Sequence, residues 1–123
     1  MSRSPLQAAF VDAECRLRAL GREVNRQGEP LNAQFERGEI SEDVWADGFA
    51  QLEERLGWNE AFHERNAVRA ALLTWGLAQV RRLWSVHGRP FRGQDLAMVE
   101  ALWSNPRVQG QLVRVVLRLD VSR

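Results

Sequence analysis

The spacing of apolar residues in the first quarter of the chain most strongly constrains the fold. Apolar side chains recur there at alternating intervals of four and three residues, at Leu6, Phe10, Ala13, Leu17, Leu20 and Val24. Side chains at this spacing share one face of an α-helix, so the pattern predicts a helix of about three heptads with a single buried seam. The preceding Ser4-Pro5-Leu6-Gln7 is a capping box, with serine as N-cap, proline at the first helical position and glutamine at N3.

Further start and stop signals divide the next part of the chain into helices. Gly28-Glu29-Pro30 is expected to break the first helix, and a short helical piece follows it. Gly38 ends that piece as a C′ glycine, and Ser41 caps the second helix. Gly57 ends the second helix, whose predicted buried stripe is Trp45, Phe49, Leu52 and Leu56.

The second half of the chain carries three more helical segments. Asn59 is the expected N-cap of a long third helix that runs to His87. A fourth helix is predicted from the spacing of Leu96, Val99, Leu102 and Trp103. Asn105-Pro106 then repeats the cap-plus-proline start. The sequence therefore predicts an all-α fold, a compact bundle of about five helices in which an N-terminal helical hairpin is joined by three further helices.

Residues 112–121 are compatible with two structures. Val108, Leu112, Val115 and Leu119 follow helical spacing, whereas residues 117–121 alternate with the period of a strand. A lone strand would have no pairing partner in a helical chain, so we expect a helix. In a helix, Val113, Leu117 and Val121 form a second apolar stripe, which is either buried or covered by a partner. They are our candidate residues for self-association.

Charge is strongly segregated along the chain, although the formal net charge is only +1. Residues 29–64 carry ten acids and two arginines, a net charge of −8, whereas residues 65–123 carry ten arginines and three acids, a net charge of +7. At 123 residues, we expect a single domain made of an acidic hairpin portion and a basic helical portion. The two blocks either face each other within the fold, drive self-association, or bind a charged partner.

Arginines and aromatic rings alternate near the end of the third helix and in the turn after it. This mixture is typical of nucleic-acid surfaces, where guanidinium groups contact phosphates and rings stack on unpaired bases. Arg107, Arg114 and Arg118 add to it, since they fall within about 40° of one another on a helical wheel. The candidate nucleic-acid or anion-binding residues are Arg81, Arg82, Trp84, Arg89, Phe91, Arg92, Arg107, Arg114 and Arg118.

No catalytic or metal-binding pattern emerges from the sequence. Glu60 and His63 have the Glu-x-x-His spacing of carboxylate-bridged metal sites, but the only other histidine, His87, has no glutamate three residues before it. The single cysteine, Cys15, and two histidines outside any motif leave nucleophilic catalysis unsupported. We therefore expect a chain that is not an enzyme and has no cofactor.

The segment Phe35-Glu36-Arg37-Gly38-Glu39-Ile40-Ser41-Glu42-Asp43-Val44-Trp45 resembles the short helical hairpins of the SHOCT family. Glycine, an aliphatic residue, serine, acids and an aromatic follow in that order. The resemblance implies a small oligomerisation module. The segment departs from the family in lacking basic residues after the aromatic.

Taken together, these features predict a small cytoplasmic helical protein that acts through protein association. The expected partner is a further copy of the chain, as in a homodimer, with an acidic protein or a nucleic acid as other partners. The alternative function is nucleic-acid binding through the arginine-rich and aromatic-rich C-terminal half. We expect no membrane partner, because the longest uncharged stretch, residues 70–80, is shorter than the roughly 20 residues that a span requires. The single cysteine and the absence of an export-signal pattern favour the cytoplasm.

Overall fold

The computed structural model describes residues 4–86 and 93–119. The helices are α1 (Pro5–Glu36), α2 (Glu42–Leu56), α3 (Trp58–Val86), α4 (Gly93–Trp103) and α5 (Gln109–Leu117). No strand occurs among the described residues. The prediction of an all-α fold with about five helices is therefore confirmed.

The last described segment is helical, as expected, up to Leu117. Arg118 and Leu119 follow the helix and bond back to it, through N–H groups that donate to the carbonyls of Val115 and Val116 at 3.0 and 3.2 Å. Of the ten residues that were compatible with either structure, residues 112–117 are thus helix, and residues 120 and 121 lie outside the described part of the chain.

Helix α1 continues through Gly28 and Pro30, so the predicted break there is wrong. A proline inside a helix removes one backbone hydrogen bond and costs about 3 kcal/mol. Packing on both sides of Pro30 offsets this cost. Before it, buried Gly28 leaves room for the ring of Phe49, which a Cβ at that position would overlap. After it, the Asn32 side-chain oxygen accepts a hydrogen bond of 2.8 Å from the indole of Trp45.

The predicted boundaries of α2 are confirmed. The Ser41 hydroxyl accepts the Val44 N–H at 3.2 Å, which satisfies one of the free donors in the first turn. Gly57 follows the helix with φ of 81°, and Gly38 follows α1 with φ of 72°. Both values lie in the left-handed region, where a side chain costs about 1–2 kcal/mol and glycine does not.

The start of α3 differs slightly from its prediction. The helix begins at Trp58, directly after Gly57, and the Ala61 N–H donates to the Gly57 carbonyl at 3.1 Å. Asn59 therefore lies inside the first turn and is not the N-cap. The predicted end of this helix, His87, lies outside the described residues.

Helix α5 also begins later than Asn105-Pro106 predicts. The Asn105 side-chain oxygen accepts the Arg107 N–H at 3.0 Å, two residues along the chain, which is the geometry of an Asx turn. That bond closes a turn instead of an N-cap, and α5 starts only at Gln109. Val108 is its N-cap residue, with no capping bond from a side chain.

The chain divides into two compact units near the predicted charge boundary. Residues 11–66 form one, which we call the central unit, and residues 1–10 with 67–123 form the other, which we call the terminal unit. The central unit carries thirteen acidic side chains and seven arginines, whereas the terminal unit carries three acidic side chains and ten arginines. The expectation of a single domain stays a prediction.

The central unit contains most of α1, all of α2 and the beginning of α3. Its buried apolar side chains are Ala13, Leu17, Val24 and Ala61, three of which belong to the predicted α1 seam. The predicted α2 stripe of Trp45, Phe49, Leu52 and Leu56 is only half-buried, since no residue of α2 is fully buried. Ion pairs of Arg16 with Glu64, and of Arg65 with Glu14 at 3.4 Å, join α1 to α3.

The terminal unit has its own apolar core, built from the first turns of α1, the rest of α3, and α4 and α5. Its buried members are Phe10, Leu72, Leu73, Leu112, Val113 and Val116. Trp103 of α4 packs against this core, and its indole N–H donates to the Leu73 carbonyl at 2.7 Å. The indole therefore ties α4 to α3 through a backbone acceptor.

Gln7 is fully buried in the terminal unit and stabilises two helix ends at once. Its side-chain oxygen accepts the Ser4 N–H at 2.6 Å, and the Ser4 hydroxyl accepts the Gln7 N–H at 3.1 Å, which confirms the predicted capping box. Its side-chain nitrogen donates to the carbonyls of Val116 and Leu119, both at 2.9 Å. The same amide thus provides a buried donor to two carbonyls at and just after the C-terminal end of α5.

Candidate functional site

Helix α5 and the turn before it present three exposed arginines on one side. Helical geometry places Arg114 and Arg118 about 40° apart around α5, and the buried residues of the helix are centred about 180° away. Arg107 lies in the turn two residues before α5, and Val108, with right-handed φ of −107° and ψ of −5°, joins it to the helix. The three buried side chains are Leu112, Val113 and Val116. We call the surface formed by Arg107, Arg114 and Arg118 the basic face.

The basic face is held in place from both ends of α5. The Asx turn at Asn105 fixes the backbone at Arg107, and the Gln7 amide holds the carbonyls at the other end. Arg118 keeps right-handed helical dihedral angles, with φ of −93° and ψ of −4°, so its side chain continues the helical register. Burial of the opposite side of α5 then directs the arginines to solvent.

No ion pair joins the arginines of the basic face to an acidic side chain in residues 4–86 and 93–119. The contrast with other arginines is clear, because Arg81 is paired with Glu100 and Arg65 with Glu14. A row of three like charges without counter-charges raises the local positive potential and attracts anionic groups.

Helix α2 presents the opposite charge on its outer side. Asp43, Asp47 and Glu54 lie within about 40° of one another, about 180° from the half-buried apolar stripe. All three are exposed, and none makes an ion pair within the part of the chain that the structure describes. We call this surface the acidic face.

Contacts with α1 determine which side of α2 is outermost. The Trp45 indole bonds to Asn32, and the rings of Phe35 and Phe49 lie 5.4 and 5.3 Å from that of Trp45. Next to these rings, Gly48 brings the α2 backbone close to the Leu31 side chain. These contacts lie along one side of α2, and the acids therefore point away from α1.

Each charged face has one partly exposed valine beside it. Val44 on α2 is 52 % exposed and Val115 on α5 is 50 % exposed. Helical geometry places each of them about 80° around its helix from the centre of the charged row. Each charged row therefore has a solvent-accessible apolar side chain at its edge.

Two of the three residues predicted for self-association pack against the core of the terminal unit. Val113 is buried in the core of the terminal unit, and Leu117 is half-buried against that core. For these two residues the structure shows the buried alternative that the sequence left open, since the core of their own unit covers them, and the role of the stripe in self-association stays a prediction. Val121 lies outside the described residues.

The arginine and aromatic candidates near the end of α3 are only partly described. Arg81 is paired with Glu100, and the Arg82 Nε donates to the Gln79 side chain at 3.2 Å. The Trp84 side chain, together with Arg89, Phe91 and Arg92, falls outside what the structure describes. Of the nine predicted residues, the described structure brings together Arg107, Arg114 and Arg118.

Each unit has a groove lined by described residues. The larger, of about 600 Å³, is in the terminal unit, where Leu73, Leu77 and Trp103 line it together with polar residues of α4 and α5. Its principal polar groups are already bonded, since Glu100 pairs with Arg81 and the Trp103 indole bonds to a backbone carbonyl. The smaller, of about 330 Å³, lies between α1 and α2 in the central unit.

The residues considered for metal binding or nucleophilic catalysis lie at the surface. Glu60, His63 and Cys15 are all exposed. Among the described residues, no three histidine, cysteine or acidic side chains are grouped closely enough to hold a metal ion. No described helix combines the length and apolar character needed to cross a membrane.

Among the described acids, the one with the clearly lowered pKa belongs to neither face. In the central unit, the Glu23 carboxylate accepts hydrogen bonds from Arg26 and from Gln27, the latter at 2.8 Å. The Arg26 bond is the main reason that the pKa of Glu23 falls from 4.5 to about 2. The same bond raises the pKa of Arg26.

Comparison with protein-family models gave no matching family, and comparisons with curated proteins and with solved structures gave no match either. The resemblance of residues 35–45 to the SHOCT hairpins gains no support from the family comparison.

The acidic face was missed by sequence reasoning, although its signal was present. The negative charge of residues 29–64 is evident in the sequence, and the row becomes visible when this charge is projected onto α2. Asp43, Asp47 and Glu54 follow the spacing i, i+4, i+11 opposite an apolar stripe, which is the pattern of one solvent-facing row.

Proposed function

We propose that this chain is a protein-association domain whose partner is a further copy of itself. It acts by binding and not by catalysis. One observation carries the proposal, namely that two exposed helix faces bear opposite charges with no ion pair inside the described chain. Complementary potentials of this kind steer association and select partners.

The charge distribution supports a partner of the same sequence. Each copy carries an excess of acid in the central unit and an excess of arginine in the terminal unit. One copy therefore offers both members of a complementary pair, and contacts between unlike faces join copies head to tail. Exposed ion pairs contribute little individually, so we expect weak association that responds strongly to salt.

The test is the mass of the purified protein in solution across concentration and salt. Light scattering coupled to size-exclusion chromatography at about 10 mM salt, where charges act over about 30 Å, is expected to give a mass above the 14.1 kDa of one chain. The mass is expected to fall toward 14.1 kDa at about 1 M salt, where the screening length is about 3 Å. A single chain at every concentration and salt would overturn the proposal.

Nucleic-acid binding is a second candidate function, favoured by the unpaired basic face. Three arginines in a row match the phosphate contacts that dominate such binding. Fluorescence anisotropy with labelled single-stranded and double-stranded oligonucleotides tests it. Micromolar binding that weakens steeply with salt would support this function, and no binding at low salt would exclude it.

We also propose a cytoplasmic location. The single, exposed Cys15 supports it, because one cysteine permits no disulfide within the chain. Fractionation of cells that express a tagged full-length protein tests the proposal, and recovery with the membrane or the medium would contradict it.

A further inference from the structure

The charged residues of the two faces are spaced so that they match in one orientation only. Along the basic face, the steps from Arg107 to Arg114 to Arg118 are seven and four residues. Along the acidic face, the steps are also seven and four, but in the reverse direction, from Glu54 to Asp47 to Asp43. On α2 these steps are about 10.5 and 6 Å, and the step from Arg114 to Arg118 is also about 6 Å, whereas Arg107 lies in the turn just before α5.

We infer that the basic face of one copy docks against the acidic face of a second copy, with α5 and α2 antiparallel. In this register Arg107 faces Glu54, Arg114 faces Asp47, and Arg118 faces Asp43 of the other copy. In a parallel arrangement the basic residues would be spaced by seven and then four residues, and the acidic residues by four and then seven. Only one or two of the three pairs could then form. The inference rests on the proposed function and specifies its contact.

The partly exposed valines fit the same arrangement. Val44 and Val115 each lie about 80° around their helix from the centre of the charged row. When each helix is viewed from its N-terminus, both valines are displaced in the same direction. In an antiparallel pair of helices, flanking positions of the same sense lie on the same side. The two valines are offset by two residues in this register, or about 3 Å along the axis, and can therefore pack against each other beside the ion pairs.

Three exposed positions beside the charged rows carry small residues. On the other flank, α2 presents exposed Ala46 and Ala50, and α5 presents exposed Gly110. Small side chains let two helices approach within the 8–10 Å of ordinary helix packing, which brings the charged groups within ion-pair distance. The contact thus combines three ion pairs, one apolar contact and small residues at three flanking positions.

Charge reversal at the central pair provides the first test. Arg114→Glu and Asp47→Arg are each expected to weaken self-association about tenfold at about 10 mM salt, because each replaces an attraction by a repulsion. Combining both reversals in one chain is expected to restore the mass seen for the natural sequence. The matched controls are Arg22→Glu and Glu29→Arg, which make the same changes of net charge at exposed positions of α1 and are expected to leave the mass unchanged.

A mixture of the two single variants shows whether the contact joins different copies. Each variant retains one natural face, and its altered face complements that of the other variant. Mixing them in equal amounts is therefore expected to restore the mass. If the doubly reversed chain recovers but the mixture does not, the charges pair within one chain, and the inference is overturned.

The outer pairs test the antiparallel register. The self-association lost in Arg107→Glu is expected to be restored by Glu54→Arg and not by Asp43→Arg. The self-association lost in Arg118→Glu is expected to be restored by Asp43→Arg and not by Glu54→Arg. Circular dichroism confirms that every variant is folded. Rescue in the opposite pattern would establish a parallel register and overturn the inference.

The remaining outcomes separate this inference from the proposed function. If the natural protein self-associates and the reversals at all three positions leave its mass unchanged, the proposed function stands and another surface carries it. If the natural protein stays a single chain, both fail together. If it binds a single-stranded oligonucleotide and Arg114→Glu abolishes this binding while the mass stays constant, the basic face serves nucleic acid and the inference is overturned.

Discussion

Replacing Gly76 by alanine tests the closest helix contact in the terminal unit. Gly76 is buried in α3, and a Cβ built on it would lie 2.8 Å from Cγ1 of Val116 and nearer still to Cγ2. Val116 is fully buried, and its β-branched side chain has little freedom to turn away. The added methyl group therefore forces α3 and α5 apart or strains the valine.

The expected size of the effect follows from two opposing contributions. Overpacking a core by one methyl group costs about 1–3 kcal/mol. Alanine is a better helix former than glycine, which returns about 0.5–1 kcal/mol. We expect Gly76→Ala to lower the free energy of unfolding by about 1–2 kcal/mol, which corresponds to a fall of roughly 3–10 °C in melting temperature.

Gly110→Ala is the matched control, because the same change occurs at an exposed helical glycine with no atom within 4 Å of the added Cβ. Without a clash, the helix propensity acts alone, and we expect unchanged stability or a gain of up to about 1 kcal/mol. Both variants and the natural sequence are unfolded by heat and by urea, and unfolding is monitored by far-ultraviolet circular dichroism.

A double-mutant cycle with Val116→Ala identifies the cause of the loss. Shortening the valine removes both methyl groups that obstruct the new Cβ, so Gly76→Ala is expected to be neutral or stabilising in that background. The reasoning would be refuted if Gly76→Ala were as stable as the natural sequence, or if its effect were the same in both backgrounds.

The remaining predictions concern helix ends and one perturbed acid. Gln7→Ala removes the side-chain half of the capping box and the buried amide that donates to the carbonyls of Val116 and Leu119, so it is expected to cost about 1–3 kcal/mol in urea unfolding. The exposed control Gln111→Ala is expected to cost less than about 0.5 kcal/mol. Gly57→Ala places a side chain at φ of 81° and is expected to cost about 1–2 kcal/mol by the same assay; an unchanged midpoint would show that the chain avoids this strain. Because its pKa of about 2 lies below the ordinary 4.5, Glu23 favours the folded state at pH above about 4.5, and this contribution is lost as the pH falls toward 2. Arg26→Ala is expected to return the pKa of Glu23 toward 4.5 in an NMR titration, and an unchanged pKa would contradict the role given to the Arg26 hydrogen bond.

Local signals in the sequence determined the type and several boundaries of the helices. Ser4 with Gln7, Ser41, Gly38 and Gly57 act through bonds and dihedral angles that involve only near neighbours in the chain. Such interactions form wherever the local backbone is helical, and they could therefore be predicted without knowledge of the fold. The row of arginines on α5 was predictable for the same reason, because it depends only on helical spacing.

Tertiary structure decided which faces are covered and where a strong local signal is overridden. Helix α1 passes through Pro30 because Gly28 and Asn32 make contacts with α2, and those partners are remote in sequence. Val113 belongs to the core, although its spacing was equally compatible with an outer stripe. Periodicity shows that residues share a face, but burial depends on which other helices pack against it.

Gln7 makes one set of hydrogen bonds that the sequence predicts and another set that depends on the tertiary structure. Its backbone and side chain complete a capping box with Ser4 that the sequence alone identified, since the partners are three residues apart. Its second role, donation to the carbonyls of Val116 and Leu119, joins residues more than 100 positions apart. No local pattern encodes such a contact; it exists only because folding brings the start of α1 to the end of α5, where a buried carbonyl must find a donor.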